Sequence, residues 1–414
     1  MTKESRLYRK LPTVPKPIFN VNPTNMTRTD DQISSITINH GTDGPDEGVH
    51  PSTCEIQLPE QMIVRTRLPL SVSLTGPASL AIARIVGHES SAIRHRFTGR
   101  AGRQEIDDNV IITAKGPQFR KTTTLTASSW SAQLSGSIPY YEFPTQWLIG
   151  DMLMRIMKPP YLSGHIPLEV PFATPRTKGP ATGRYSDLID KYASDIGLMM
   201  QQTRTGKIRV LTREGRKQDA INRIGIIYPM TRSHAISPTT WSQPNDSSTE
   251  RMRAKYVGAD GVERVLDANA GAPGSAPIKE VDWTHIEFDT PQEQFIKALE
   301  ARKAVDAYTL PSITVDVLML MNSPYVHHRY QAGYILALNP GDTLNLSGDW
   351  HPNLQGVHFV TGIKENISPD GWTFELNLTP YSHIIGEPSP EVPPRVWESA
   401  NTTWDSTPGT WNDA

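Results

Sequence analysis

Cysteine is all but missing: Cys54 is the only one in 414 residues, so neither an intramolecular disulfide nor a cysteine-based zinc cage can form. Stability has to come from packing or assembly. Long apolar runs are missing as well. The strongest, Val317 to Met321, is five residues, far short of the roughly 18 that a membrane helix requires, and no charged-then-apolar leader opens the chain. A soluble protein without membrane insertion of its own is expected. Surplus charge of either sign is lacking too: 41 Lys and Arg face 43 Asp and Glu, a net charge of -2. That balance removes the global attraction on which binding to nucleic acid or an anionic membrane depends. Catalytic signatures are absent in their turn: no G-x-x-x-x-G-K-[ST], no G-x-S-x-G and no H-E-x-x-H occurs.

Proline (35) and glycine (29) are plentiful, which predicts many turns and short strands. Residues 1–31 carry Pro12, Pro15, Pro17 and Pro23 among polar residues with no sustained period, and read as an extended arm whose six basic residues outnumber its acidic ones. The last segment, 386–414, has five acidic residues and one basic. Oppositely charged ends suit an embrace between neighbouring copies.

Period-two alternation, the mark of half-buried strands, fills two separate blocks. In the first, 32–140, the core faces are Ile33, Ile36 and Ile38; Ile56 and Leu58; Leu68, Leu70, Val72 and Leu74; and Val110, Ile112 and Ala114. Breaks are expected at 41–48, 76–77 and 99–102, where glycine and proline cluster. In the second block, 229–385, Ile313 to Met321 and Trp372 to Leu378 alternate most cleanly. Ser368-Pro369-Asp370-Gly371 predicts a hairpin back to 357–363, and Asp260-Gly261 another between 251–258 and 262–266. Thr290, Pro291 and Glu293 form a capping box that opens a helix over about 291–308, ended by Leu310-Pro311. Between the blocks, 141–228 reads as a mixed module with helices at 147–157 and from Ser186, and short strands at 199–203 and 207–212. Residues 267–277, small and rich in glycine and proline, form a loop or a crossing strap.

Few residues invite chemistry. Adjacent His327 and His328 point apart on any regular element, so they read as a polar turn beside Pro324 rather than as metal ligands. The carboxylates of residues 43–48 lack the register of a calcium loop and read as a solvated turn. Cys54 has no basic neighbour to make a thiolate and reads as a small buried hydrophobe. The informative group is Trp397, Trp404 and Trp411, spaced by seven in related Trp-Glu-Ser, Trp-Asp-Ser and Trp-Asn-Asp units. A polar, proline-containing stretch cannot bury three indoles on itself. They read as anchors for docking on another subunit or on the chain's own barrel, or alternatively as sugar platforms of a receptor- or carbohydrate-binding protein.

Several stretches in order, over roughly residues 50–414, resemble the tail hub family of tailed phages, the baseplate hub and minor tail proteins at the tail tip. They are Phe97-Thr98-Gly99-Arg100, residues 111–117, Tyr185 to Ile189, Gly206 to Val210, Leu338 to Leu344, Val360 to Ile363 and Gly371 to Leu378. The Trp-Asp-Ser repeat is similar to the C-termini of minor tail proteins from phages of actinobacteria. The resemblance implies a mainly β chain, two tube-type β-barrel domains flanking a small mixed α/β module, assembled as a homotrimer. Three copies of two barrels would continue a hexameric tail tube. Implied partners are the tube or distal tail protein, tip, fibre or spike proteins, and DNA or a tape-measure protein in the lumen. The place implied is the virion tail tip. The peptidase, lysozyme or carbohydrate-binding domain that some relatives carry after the hub is not expected. No enzymatic activity, cofactor or metal is expected.

Overall fold

The computed structural model describes residues 16–21, 26–28, 33–41, 48–59, 69–75, 95–113, 116–129, 141–143, 148–156, 168–169, 175–178, 181–183, 188, 191–192, 199–204, 206, 208–223, 229–236, 240–241, 251–269, 278–304, 309–323, 325–368 and 371–392. The arm supplies β1 (Lys16–Val21) and β2 (Met26–Arg28), and the first block β3 (Ser35–Gly41), β4 (Gly48–His50), β5 (Thr53–Leu58), β6 (Pro69–Thr75), β7 (His95–Thr113) and β8 (Gly116–Ser128). The middle module holds β9 (Tyr141–Phe143), α1 (Ile149–Ile156), β10 (Leu168–Glu169), β11 (Arg176–Thr177), β12 (Ala181–Gly183), β13 (Met199–Gln202), β14 (Ile208–Leu211) and α2 (Arg213–Arg223). The second block follows with β15 (Pro229–Met230), β16 (Arg251–Val257), β17 (Glu263–Asn269), β18 (Ile278–Trp283), β19 (Ile286–Glu287), α3 (Pro291–Ala304), β20 (Ser312–Asp316), α4 (Val317–Met321), α5 (Val326–Ala337), β21 (Thr343–Leu346), β22 (Gly356–Ser368), β23 (Gly371–Pro380) and α6 (Tyr381–Ile385).

The chain is mainly β, and its largest sheet draws on both blocks. Its order runs β15-β21-β22-β3-β5-β8-β7-β6-β1-β2, with β23 and β20 continuing from β22. The two blocks meet where β22 pairs antiparallel with β3, from Gly362 opposite Gly41 to Ile367 opposite Ile36. Gly41 has a φ of 76°, and a Cβ there would lie 2.1 Å from the Thr361 carbonyl oxygen. Glycine is required at this crossing because any side chain would push the blocks apart. Within the stretch read as an arm, β1 pairs with β6 and β2 with β1, extending the sheet. Among the described residues no pairing closes either half into a barrel; the halves lie side by side in one open sheet.

One apolar core runs through both halves. Alternation buries Ile36, Ile38, Ile56 and Leu58 from the first block together with Ile313, Val315, Trp372, Phe374 and Leu376 from the second. Both expected hairpins form, with Ser368 opposite Gly371 and Val257 opposite Glu263. Helix α3 begins where the capping box puts it, the Thr290 hydroxyl donating to Glu293 at 3.1 Å, and it buries Phe295 and Leu299. In the middle module β13 and β14 pair as expected, and Leu188 and Tyr192 are buried on a helical stretch.

Four expectations are corrected. Ile313 to Met321 is not one strand: it turns helical after Asp316, whose carboxylate accepts from the Met319 amide at 3.0 Å and caps α4. An apolar run without polar interruption fits either period, and the cap decides. Residues 99–102 do not break the chain but lie inside β7, with a bulge between Ala101 and Gln104. Gly99 is there for close approach, since a Cβ would meet the Ser128 carbonyl at 2.3 Å. Val110, assigned to a core face, is 56% exposed because the β7–β8 hairpin outgrows its neighbours. His327 and His328 lie in helix α5, not in a polar turn. The acidic loop 43–48 apart from Gly48, and most of the strap 267–277, lie outside the described residues.

Candidate functional site: a buried ionic junction and a free ribbon

Where the two blocks and the middle module meet, charge is buried. Arg96 of β7 and Glu365 of β22 are both inaccessible to solvent. The Arg96 Nε donates to both Glu365 oxygens, at 2.8 and 3.1 Å, and its Nη2 donates to Oε2 at 2.7 Å. Trp372 Nε1 donates to Oε1 at 2.9 Å, so each carboxylate oxygen accepts two bonds. Arg96 Nη1 reaches across to the Leu336 carbonyl at 2.8 Å, in the last turn of α5. Arg204, just after β13, donates its Nη1 to that same carbonyl. Both guanidinium groups face the Phe374 ring, at 5.4 and 5.5 Å from its centroid. The Arg96–Glu365 pair, hydrogen-bonded this fully, specifies one docking geometry, because breaking a link strands a charge in a medium that solvates it poorly.

A shell of polar groups fixes the junction. His40 Nε2 lies 2.9 Å from the Arg96 carbonyl and must donate to it, which leaves Nδ1 to accept from the Ser52 hydroxyl at 2.9 Å. Burial, reinforced by the charge of Arg204, lowers the His40 pKa to about 3, so the ring is neutral. The neighbouring arginines hold Glu365 below the usual carboxylate range against the opposing effect of burial, which is the largest single influence on it. Arg209 extends the network, bonding Asp342 at 2.9 Å and Asp219 at 3.3 Å, while Asn339 accepts from the Arg204 amide at 3.2 Å. The middle module is thereby tied to the loop before β21.

The second feature lies on the same strand, farther along. β6 pairs β7 only from His95 to Arg100, and β5 pairs β8 only from Thr123 to Ser128. Among the described residues no strand pairs with either edge of the hairpin from Gln104 to Thr113 and back to Thr122. This ribbon exposes Ile106 and Val110 beside Glu105, Asp107 and Asp108, and its ion pair of Lys121 with Asp108 is solvent-exposed. A lone two-stranded ribbon is marginal in water, and bare apolar side chains on it mark a contact surface.

The residues singled out from sequence contribute little here. Trp397, Trp404 and Trp411 lie outside the described residues. The segment leading toward them is anchored: Ser389 Oγ accepts from the Val357 amide at 2.9 Å, Lys217 meets Glu387 at 2.6 Å, and Val392 packs beside Phe359 and Tyr381. Cys54 is buried, and burial pushes its thiol pKa up, as a small core residue requires. His328 lies 2.6 Å from the Ser323 hydroxyl and meets the His234 ring edge-on at 4.8 Å. Among the described residues no group of three or more His, Cys, Asp or Glu could hold a metal, and no helix is long and apolar enough to cross a membrane.

Sequence reasoning missed the junction, although one signal was present. Glu365 falls in phase with Ile363 and Ile367 on the core face of β22, the place where a carboxylate must have a partner.

No protein-family model matches the chain and no curated protein matches it. Solved structures do. The 43 kDa tail protein of prophage MuSo2 from Shewanella oneidensis is 10% identical, with 90% of this chain and 100% of that one covered and a TM-score of 0.57. The tail protein from Neisseria meningitidis MC58 is 14% identical, with 90% and 98% covered and a TM-score of 0.59. Over nine-tenths of its length, then, this polypeptide has the fold of phage tail proteins.

Proposed function

We propose that the chain is a structural protein of a phage tail, a homotrimeric hub at the tail tip that joins the hexameric tube to threefold tip components and lines the central channel. The observation that carries this reading is the end-to-end fold likeness to two tail proteins. The arrangement of the halves supports the finer claim. Two β blocks placed side by side in one sheet let one polypeptide occupy two of six positions around a ring, each block closing as a tube-type barrel against its neighbours. Three copies then convert sixfold into threefold symmetry. Among the described residues the sheet ends at β2, β15 and β20, and pairing between copies would cover such edges.

The mechanism is mechanical rather than catalytic. The buried junction sets the angle between the two blocks, the ribbon contacts the adjoining tail component, and a nearly neutral chain lets DNA pass without capture by basic clusters. The C-terminal segment, held on the second block as far as Val392, would carry Trp397, Trp404 and Trp411 to a neighbouring subunit. Labelled antibody against the chain should decorate the distal end of intact tails, and removal of residues 386–414 should stop tail tips from completing. Label spread along the tube, or complete tips without the tail segment, would overturn the reading. A receptor- or carbohydrate-binding role draws on Trp241, exposed and stacked on His351 at 5.0 Å. Glycan binding by the isolated protein that is lost in Trp241→Ala would favour it.

A further inference from the structure

At the junction Arg204 is short of acceptors. The junction holds two buried guanidinium groups, those of Arg96 and Arg204, the Glu365 carboxylate between them and Trp372, and a His40 ring kept neutral by burial and the nearby Arg204 charge. Both Glu365 oxygens are taken by Arg96 and Trp372. Asp342, the next carboxylate along the network, bonds Arg209 and the Asn339 amide. Arg204 therefore has a single side-chain hydrogen bond, to the Leu336 carbonyl. Its Nε and Nη2 are buried and make none.

An arginine cannot escape this position by giving up its proton, since guanidinium stays charged in proteins. The exposed carbonyl end of α5 offsets about half an elementary charge, and the Phe374 face adds a weaker attraction. Neither supplies an acceptor for the two free N–H donors. Buried donors of this kind are found paired in folded proteins, and a buried charge is found with a counter-charge.

We infer that Arg204 Nε and Nη2 bind a small monovalent anion, chloride in the cell, which supplies the missing acceptor at the junction between the two β blocks and the middle module. A monatomic anion suits the place: it accepts from several N–H donors at once without needing donors of its own to be satisfied. It is held behind Arg204 rather than Arg96, whose fork is already filled by Glu365. The anion would act as a removable pin, present when the modules are locked and absent as they are first brought together.

Thermal unfolding of the full chain, with chloride exchanged for gluconate at constant ionic strength, tests this directly. The melting temperature is expected to climb with chloride along a saturable curve, as for any ligand that binds only the folded state. Bromide should substitute for chloride. In Arg204→Met the dependence should vanish, and in chloride-free buffer this variant should melt no lower than the parent, because it removes an unpaired buried charge. Equal melting temperatures in chloride and gluconate would mean that water fills the place, and would overturn the inference. So would a chloride dependence that survives in Arg204→Met. Should that variant fail to fold, bromide-soaked crystals of the unaltered protein decide: an anomalous peak within hydrogen-bonding distance of Arg204 Nε and Nη2 upholds the site, and no peak there rejects it.

Discussion

Strand β7 has two halves with opposite duties. At its start Arg96 is wholly buried and doubly bonded to Glu365 across the seam between the blocks. Near its end Val110 is 56% exposed on a ribbon with which no other described strand pairs. The same strand, paired with β6 at its start and with β8 from Arg100 onward, is fold at one end and exposed surface at the other. What differs is who supplies the burial. At the junction the chain itself does, drawing on three modules; on the ribbon the proposed hub would draw on the adjoining tail component. Mutations in the first half should therefore register as loss of stability, and those in the second as loss of assembly.

The sharpest break should come from Glu365→Ala, which strands Arg96 in the core. A loss of about 3–5 kcal/mol in urea unfolding is expected, and a loss below about 1 kcal/mol would place the junction among ordinary surface ion pairs. Acid should act on the junction through His40 and on a second buried ring, His358 of β22. His40, with its pKa near 3, and His358, near 4, stay neutral when folded but take up protons when unfolded below about pH 6.5. The unfolded state then binds more protons, so stability falls as pH drops from about 6.5, by up to about 1.4 kcal/mol per pH unit for each ring. The depressed Glu365 adds stability above its unfolded value that disappears only as pH falls through the lower folded one. Urea titrations between pH 7 and 4 check the slope, and a flat profile would remove His40 from the account. Trp372→Phe keeps the ring and deletes one donor to Glu365; it should cost about 1–2 kcal/mol. Val110→Asp, on the ribbon, should change stability by less than about 0.5 kcal/mol while the variant fails to enter tails in a complementation assay. If it destabilised the chain as much as Trp372→Phe does, the contrast between the halves of β7 would collapse.

What could be read in the sequence follows from the same contrast. β23 was legible because it buries one face, so Trp372, Phe374 and Leu376 alternate with Thr373, Glu375 and Asn377. Helix α3 was legible because its cap is local, Thr290 to Glu293. The β7–β8 ribbon was not: Val110 and Ile112 alternate as if a core lay beneath them, and the sequence holds no sign that the neighbouring strands stop short. The α4 turn was hidden because Val317 to Met321 is apolar at every position, and only the Asp316 carboxylate distinguishes helix from strand. Arg96, Arg204 and Glu365 lie far apart in the chain, and only the seam between β22 and β3 brings them together.

The central claim is that the two halves of this sheet stand for two adjacent units of a six-membered ring. Native mass spectrometry joined to electron microscopy of the purified protein tests it most directly. The account predicts a species of three chains surrounding an open centre; a monomer, a twofold dimer, or a trimer without a central opening would contradict it.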